Sequence, residues 1–141
     1  MERTASERLV WTPDLSVGVR EIDQQHEELF ARASEVTGLL GRGTDASALR
    51  VPIDGLVDFT ALHFGTENRL MMQHAFPEAD LHQEQHGELV DQLRRFADRL
   101  LDGLRHPEAL KAVRFLSEWL TRHIAASDRE LAVWLRGRGV D

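Results

Sequence analysis

Residues 56–70 read Leu56-Val57-Asp58-Phe59-Thr60-Ala61-Leu62-His63-Phe64-Gly65-Thr66-Glu67-Asn68-Arg69-Leu70, and residues 79–86 read Ala79-Asp80-Leu81-His82-Gln83-Glu84-Gln85-His86. In the first stretch the lane Leu56, Phe59, Thr60, His63, Glu67, Leu70 keeps the three-and-four spacing of one helix face. In the second, His82 and His86 are again one helical turn apart. Imidazoles and a carboxylate therefore occupy places where a helix bundle would carry leucine. Between the two stretches Ala75-Phe76-Pro77-Glu78 leaves room only for a short connection.

Outward from this pair, the same period continues. A first helix is expected over 19–40, with Ile22, Leu29, Phe30, Ala33, Val36 and Leu40 inward, ended by Gly41 and Gly43. The second is placed at 52–72, because proline at position 52 is tolerated in a first turn but not deeper. The third runs over 79–104, with Leu89, Leu93, Phe96, Leu100 and Leu104 on one face. The fourth runs over 107–126, with Leu110, Val113, Leu116 and Leu120 inward. Residues 1–18 form an irregular leader, and 127–141 a short amphipathic C-terminal helix with Leu131, Trp134 and Leu135. No strand-like alternation is present. Four long amphipathic helices with short connections imply an all-α, antiparallel up-down-up-down four-helix bundle, a single domain over 1–141.

Chain direction then matters. His26 opens the first helix, His63 and Glu67 close the second, His82 and His86 open the third, and His123 and Asp128 close the fourth. In an up-down-up-down bundle these four places lie at one end. Burying such groups unpaired costs several kcal/mol each, and a bound cation removes that cost. Asp128 is five residues after His123, which turns a regular helix by about 140°. The fourth helix is therefore expected to end, bulge or tighten there so that Asp128 swings inward. Nitrogen and oxygen donors rich in imidazole suit iron, zinc, copper or manganese, and seven are too many for one tetrahedral zinc but right for two bridged metals.

Composition narrows the rest. The 141 residues contain no cysteine, so thiolate zinc sites, iron–sulfur clusters and disulfides are excluded. A net charge of −7, with Lys111 the sole lysine, argues against nucleic acid and against an anionic membrane surface. No apolar run approaches a membrane span, and the first residues lack a signal-peptide pattern, so a cytoplasmic protein is expected.

The chain resembles the hemerythrin family, in particular its single-domain bacterial members. The resemblance rests on Trp11, Leu15-Ser16-Val17-Gly18-Val19, Ile22-Asp23-Gln24-Gln25-His26, Leu29-Phe30, His63-Phe64-Gly65-Thr66-Glu67, Arg69-Leu70-Met71, Pro77, His82-Gln83-Glu84-Gln85-His86 and His123-Ile124-Ala125-Ala126-Ser127-Asp128. It implies two iron ions with an oxo or hydroxo bridge. His82, His86 and His123 would hold one iron and His26 and His63 the other, with Glu67 and Asp128 bridging. One position remains open for dioxygen, walled by Phe64, Leu120 and Ile124. The implied function is reversible dioxygen binding for carriage, storage or delivery, with an unknown oxygen-accepting protein as a potential partner. Sensing and a di-iron enzyme acting on peroxide or nitric oxide are the alternatives. With no acid evident beside the open iron, binding is expected rather than turnover.

Some residues receive plain readings. Family members often carry a second acid where Asn68 stands, which puts a supporting role for that position in doubt. His74 is expected to be an exposed loop histidine, Asp23 a first-turn acid favoured by the helix dipole, and Met71 and Met72 core filler.

Overall fold

Apolar lanes one turn apart make helices, and the described residues form five: α1 (Arg20–Gly41), α2 (Ala46–Gln73), α3 (Ala79–Leu101), α4 (His106–His123) and α5 (Arg129–Gly137). The structure is a computed structural model and describes residues 10–102 and 106–141, without the side chains at 106–110, 112, 113, 116, 124 and 125. Among the described residues there is no strand. The expected inward positions Leu110, Val113 and Leu116, the wall residue Ile124, and the end of the third helix at Leu104 lie outside the described side chains or residues.

α1 packs on α2 and on α4, and α2 packs on α3. Ile22, Leu29, Ala33 and Val36 of α1, Leu49, Ile53, Leu56 and Met71 of α2, Leu93 and Leu100 of α3, and Leu120 of α4 are buried together. The start of α1, the end of α2, the start of α3 and the end of α4 meet at one end, so the four helices alternate in direction, as expected.

α2 corrects the sequence reading. It begins at Ala46, so Pro52 lies inside the helix rather than at its start. Pro52 has no N–H to offer the carbonyl of Ala48, four residues earlier. Ala48 is exposed, so that carbonyl can turn to water, while the neighbouring Leu49 and Ile53 are buried. Burial of these two side chains, about 1.5–3 kcal/mol each, offsets the lost bond. Met72 is a second correction: Met71 is in the core, but Met72 is 71% exposed.

The leader is anchored rather than loose from Trp11 on. Pro13–Leu15 form a 3-10 turn, Trp11 and Leu15 pack on the core, and Val17 and Val19 are buried. Asp23, in the first turn of α1, accepts the hydroxyl of Ser16 at 2.6 Å and the N–H of Val17 at 2.8 Å. It is thus the expected first-turn acid and also the clamp of the leader. Gly18, with φ 85°, makes the bend between them, and a Cβ there would stand 3.0 Å from the Arg136 side chain. At the other end of the chain, the carbonyl of His74 accepts the indole N–H of Trp134 (2.9 Å) and two N–H groups of Arg138, which pins α5 to the α2–α3 connection. The backbone of His74 makes that link, and its ring is half-buried rather than fully exposed.

Candidate metal centre

α1, α2 and α3 each deliver their donors from a regular helical face. α4 does not, because a regular helix would aim residue 128 away from residue 123. A π turn over Ile124–Asp128 resolves this. The wider turn places residues five apart over one another, and such turns often occur at functional sites. The sequence expectation of a local bulge is met in this form.

His26, His63, Glu67, His82, His86, His123 and Asp128 are all buried, and the structure brings them together. Around Asp128 Oδ2 stand the Nε2 atoms of His26 at 2.6 Å, His123 at 3.0 Å and His63 at 3.2 Å. Around Glu67 stand His86 Nε2 at 2.9 Å and His82 Nε2 at 3.1 Å from Oε1, with His63 Nε2 at 3.1 Å from Oε2. Two overlapping groups have one donor atom of every member within 4.8 Å of the others: His26, His63, Glu67, Asp128, and Glu67, His82, His86, Asp128. The carboxylates belong to both groups.

These donors fit a metal better than they fit one another. Glu67 Oε2, Asp128 Oδ1, His86 Nε2 and His123 Nε2 are buried and make no hydrogen bond of proper geometry, although they lie close to opposite charge. Unaligned contact at such distances is weak as hydrogen bonding. Donor atoms aimed at a shared centre produce this pattern, and a buried cation would satisfy all of them.

The ionisation of the cluster follows from its two buried carboxylates. Burial pushes His63 down, but Glu67 and then Asp128 outweigh it and raise its pKa to about 10. Burial likewise opposes His82, and its carboxylate contacts raise it to about 9. His86 is lowered, burial being the main cause. Burial and Asp128 push Glu67 up, yet His63 and His82 bring it down to about 2. Asp128 is held well below the usual carboxylate range by the histidines around it, against its burial.

The outer nitrogens of two of the rings are fixed by residues that bind no metal themselves. His63 Nδ1 is 2.8 Å from Gln25 Oε1, and Gln25 donates its amide to Thr66 Oγ1 at 2.9 Å. His86 Nδ1 is 3.3 Å from Asn68 Oδ1, so the position where an acid is often found still supports the ring, through a neutral amide. With Nε2 aimed inward, each Nδ1 carries the proton and donates it to the amide oxygen. Gln25 was not singled out in the sequence. Its role depends on α1 lying against α2, and nothing in its spacing marks it.

Of the expected wall residues, Phe64 stacks on His86 with ring centroids 3.9 Å apart and meets His123 edge-on at 5.1 Å, and Leu120 is fully buried. Trp119 lies nearly parallel to His123, with ring centroids 6.2 Å apart.

A helix bundle with a buried cluster of imidazoles and bridging-capable carboxylates defines a cation-binding bundle. The sequence model of the hemerythrin HHE cation binding domain matches residues 17–135, and the chain belongs to this family. Similar proteins include the Bacteriohemerythrin of Stenotrophomonas maltophilia, 29% identical over 124 residues, 88% of this chain and 79% of that one. The Bacteriohemerythrin of Pseudomonas paraeruginosa is 32% identical over 123 residues, 85% of this chain and 76% of that one. The Hemerythrin-like protein of Naegleria gruberi is 31% identical over 118 residues, 84% of this chain and 86% of that one. A crystal structure of a leucine-to-phenylalanine mutant superposes with a TM-score of 0.74 at 22% identity, over 96% of each chain, which is a likeness of fold.

Proposed function

We propose that this chain binds two iron ions, with an oxo or hydroxo bridge, and uses them for reversible binding of dioxygen in carriage, storage or delivery. The observation that carries the reading is the layer of five buried histidines around two buried carboxylates, with donor atoms left over for metal. His82, His86 and His123 would hold one ion, His26 and His63 the other, and Glu67 and Asp128 would span both. When bound, the two ions supply the electrons that reversible dioxygen binding requires.

The chain's own residues do the remaining work. Gln25 and Asn68 hold the rings of His63 and His86 with Nε2 inward, so the donors are in place before metal arrives. Phe64 and Leu120 are apolar and buried, and keep water from the face they cover. Neither can deliver a proton, which favours release of an unchanged ligand over turnover.

Iron content and visible absorption test this reading, on protein reduced without oxygen and then exposed to air. Two irons per chain and a visible band that comes with oxygen and leaves on its removal are expected. Direct oxidation to a stable ferric form would favour sensing or redox enzymology instead. His123→Ala and Glu67→Ala should each lose iron, and retention of two irons by both variants would break the ligand assignment.

A further inference from the structure

The outer face of α2 is turned away from the core and from the metal donors. Val51 (80%), Leu62 (55%) and Met72 (71%) are exposed on it. Asp54, Asp58, Ala61, Gly65 and Arg69 stand between them, also exposed. Steps of three and four residues keep all eight in one lane. Taken singly, exposed apolar side chains need no explanation. Their order does.

The lane is self-complementary. About a midpoint between Ala61 and Leu62, Val51 mirrors Met72, Asp54 mirrors Arg69, and Asp58 mirrors Gly65. A two-fold axis through that midpoint lays α2 antiparallel on α2 of a second copy and sets each residue against its mirror position. Asp54 then faces the partner's Arg69, twice per dimer, and methionine covers valine at both ends. Asp58 stands over glycine. A Cβ at Gly65 would meet nothing within 4 Å in its own chain. Packing within the chain therefore does not call for glycine there, and glycine inside a helix weakens it. Close approach of a second helix does call for it. A parallel pairing would instead set Asp54 on Asp54 and Arg69 on Arg69.

The charges are available for this. Among the described residues Asp54 and Asp58 make no ion pair or hydrogen bond. Arg69 holds Glu21 at 2.9 Å and Gln73 at 3.4 Å, but both members of the Arg69–Glu21 pair are about half exposed, and a pair of that kind contributes little. A guanidinium also has donors to spare.

We propose that the outer face of α2 binds a second copy of this chain, antiparallel, about a two-fold axis between Ala61 and Leu62. The lane is about 30 Å long, small against the roughly 800 Å² that each partner gives to a standard interface, so the dimer is a weak one, with a dissociation constant of about 10–100 μM. His63 and Glu67 leave the opposite face of α2, so the pairing does not rest on the metal reading.

Sedimentation velocity of the full-length chain, up to about 1 mM, tests this. Asp54→Arg alone and Arg69→Asp alone each bring like charges together twice, and each should weaken self-association about 10-fold or more. An equimolar mixture of the two variants restores both opposite-charge pairs and should dimerise as the parent does, with circular dichroism reporting that each variant is folded. The chain has no cysteine, so single cysteines report the axis directly. Under mild oxidation Leu62→Cys should link to itself. Val51→Cys, about 30 Å from its own copy, should not, but should link to Met72→Cys. A monomer at about 1 mM, dimerisation unchanged in either charge variant, a mixture no more associated than its components, or Val51→Cys linking to itself as readily as Leu62→Cys would overturn the proposal.

Discussion

Gln25 shows how much a single residue outside the donor set can contribute. It joins His63 to Thr66 across α1 and α2, and so fixes one inward-facing nitrogen. Gln25→Leu should raise the dissociation constant for metal about 10- to 100-fold, read by competition with a chelator, with helical circular dichroism unchanged. The carboxylates set a second expectation. Without metal, His63 and His82 keep protons up to about 10 and 9. Metal must displace those protons, so uptake at pH 7 should release protons into the buffer and affinity should rise as pH approaches 10, measurable by calorimetry in buffers of different ionisation enthalpy. The linked folding stability has the opposite slope. His63 binds its proton more tightly folded than unfolded, so its contribution is present below about 6.5 and is lost as pH rises through about 10. At this scale the seven donor candidates were legible because each sits in a lane that otherwise carries apolar residues. Gln25 was not, because its partner is 38 residues away on another helix, and Asn68, where the sequence put a supporting role in doubt, stands against His86 Nδ1 through its amide oxygen.

Element by element, the periodicity placed α1 within one residue at either end and found the start of α3, but misplaced the start of α2. Proline was weighed by its missing N–H alone, and the two flanking side chains that the tertiary core buries were not. Restoring the bond with Pro52→Ala should raise the unfolding free energy by about 1–3 kcal/mol, read by chemical denaturation. The π turn was legible as an anomaly of spacing, since five residues separate two inward groups, but its form was not, because a bulge, a tightening or a helix end satisfies the same spacing. The turn yields a sharper test. In the double variant Ser127→Asp with Asp128→Ala, the carboxylate stands four residues after His123, as a regular helix would require. In the π turn that position faces elsewhere, so metal content should fall. Full metal content would mean that the turn does not aim the carboxylate.

For the whole molecule, the alternation of helix direction was legible from where the histidines fall along their helices, since only alternating helices bring His26, His63, His82, His86 and His123 to one end. The pinning of α5 to the His74 carbonyl was not legible, since it is a backbone contact that any residue at that position could make.

That pinning bears on how the centre is assembled. Asp128 is the last residue of the π turn and the first flank of α5, which buries Leu131, Ala132 and Leu135 and is latched by Trp134 and Arg138. The carboxylate is therefore held from its C-terminal side by a helix that is itself fastened to the α2–α3 connection. Loading the centre and seating the C-terminal helix become one event, each strengthening the other by the same factor. Trp134→Ala, which touches no donor, should therefore speed metal loss and open the chain end to carboxypeptidase, and added metal should close it again. The last helix acts as a latch whose state an exoprotease can read.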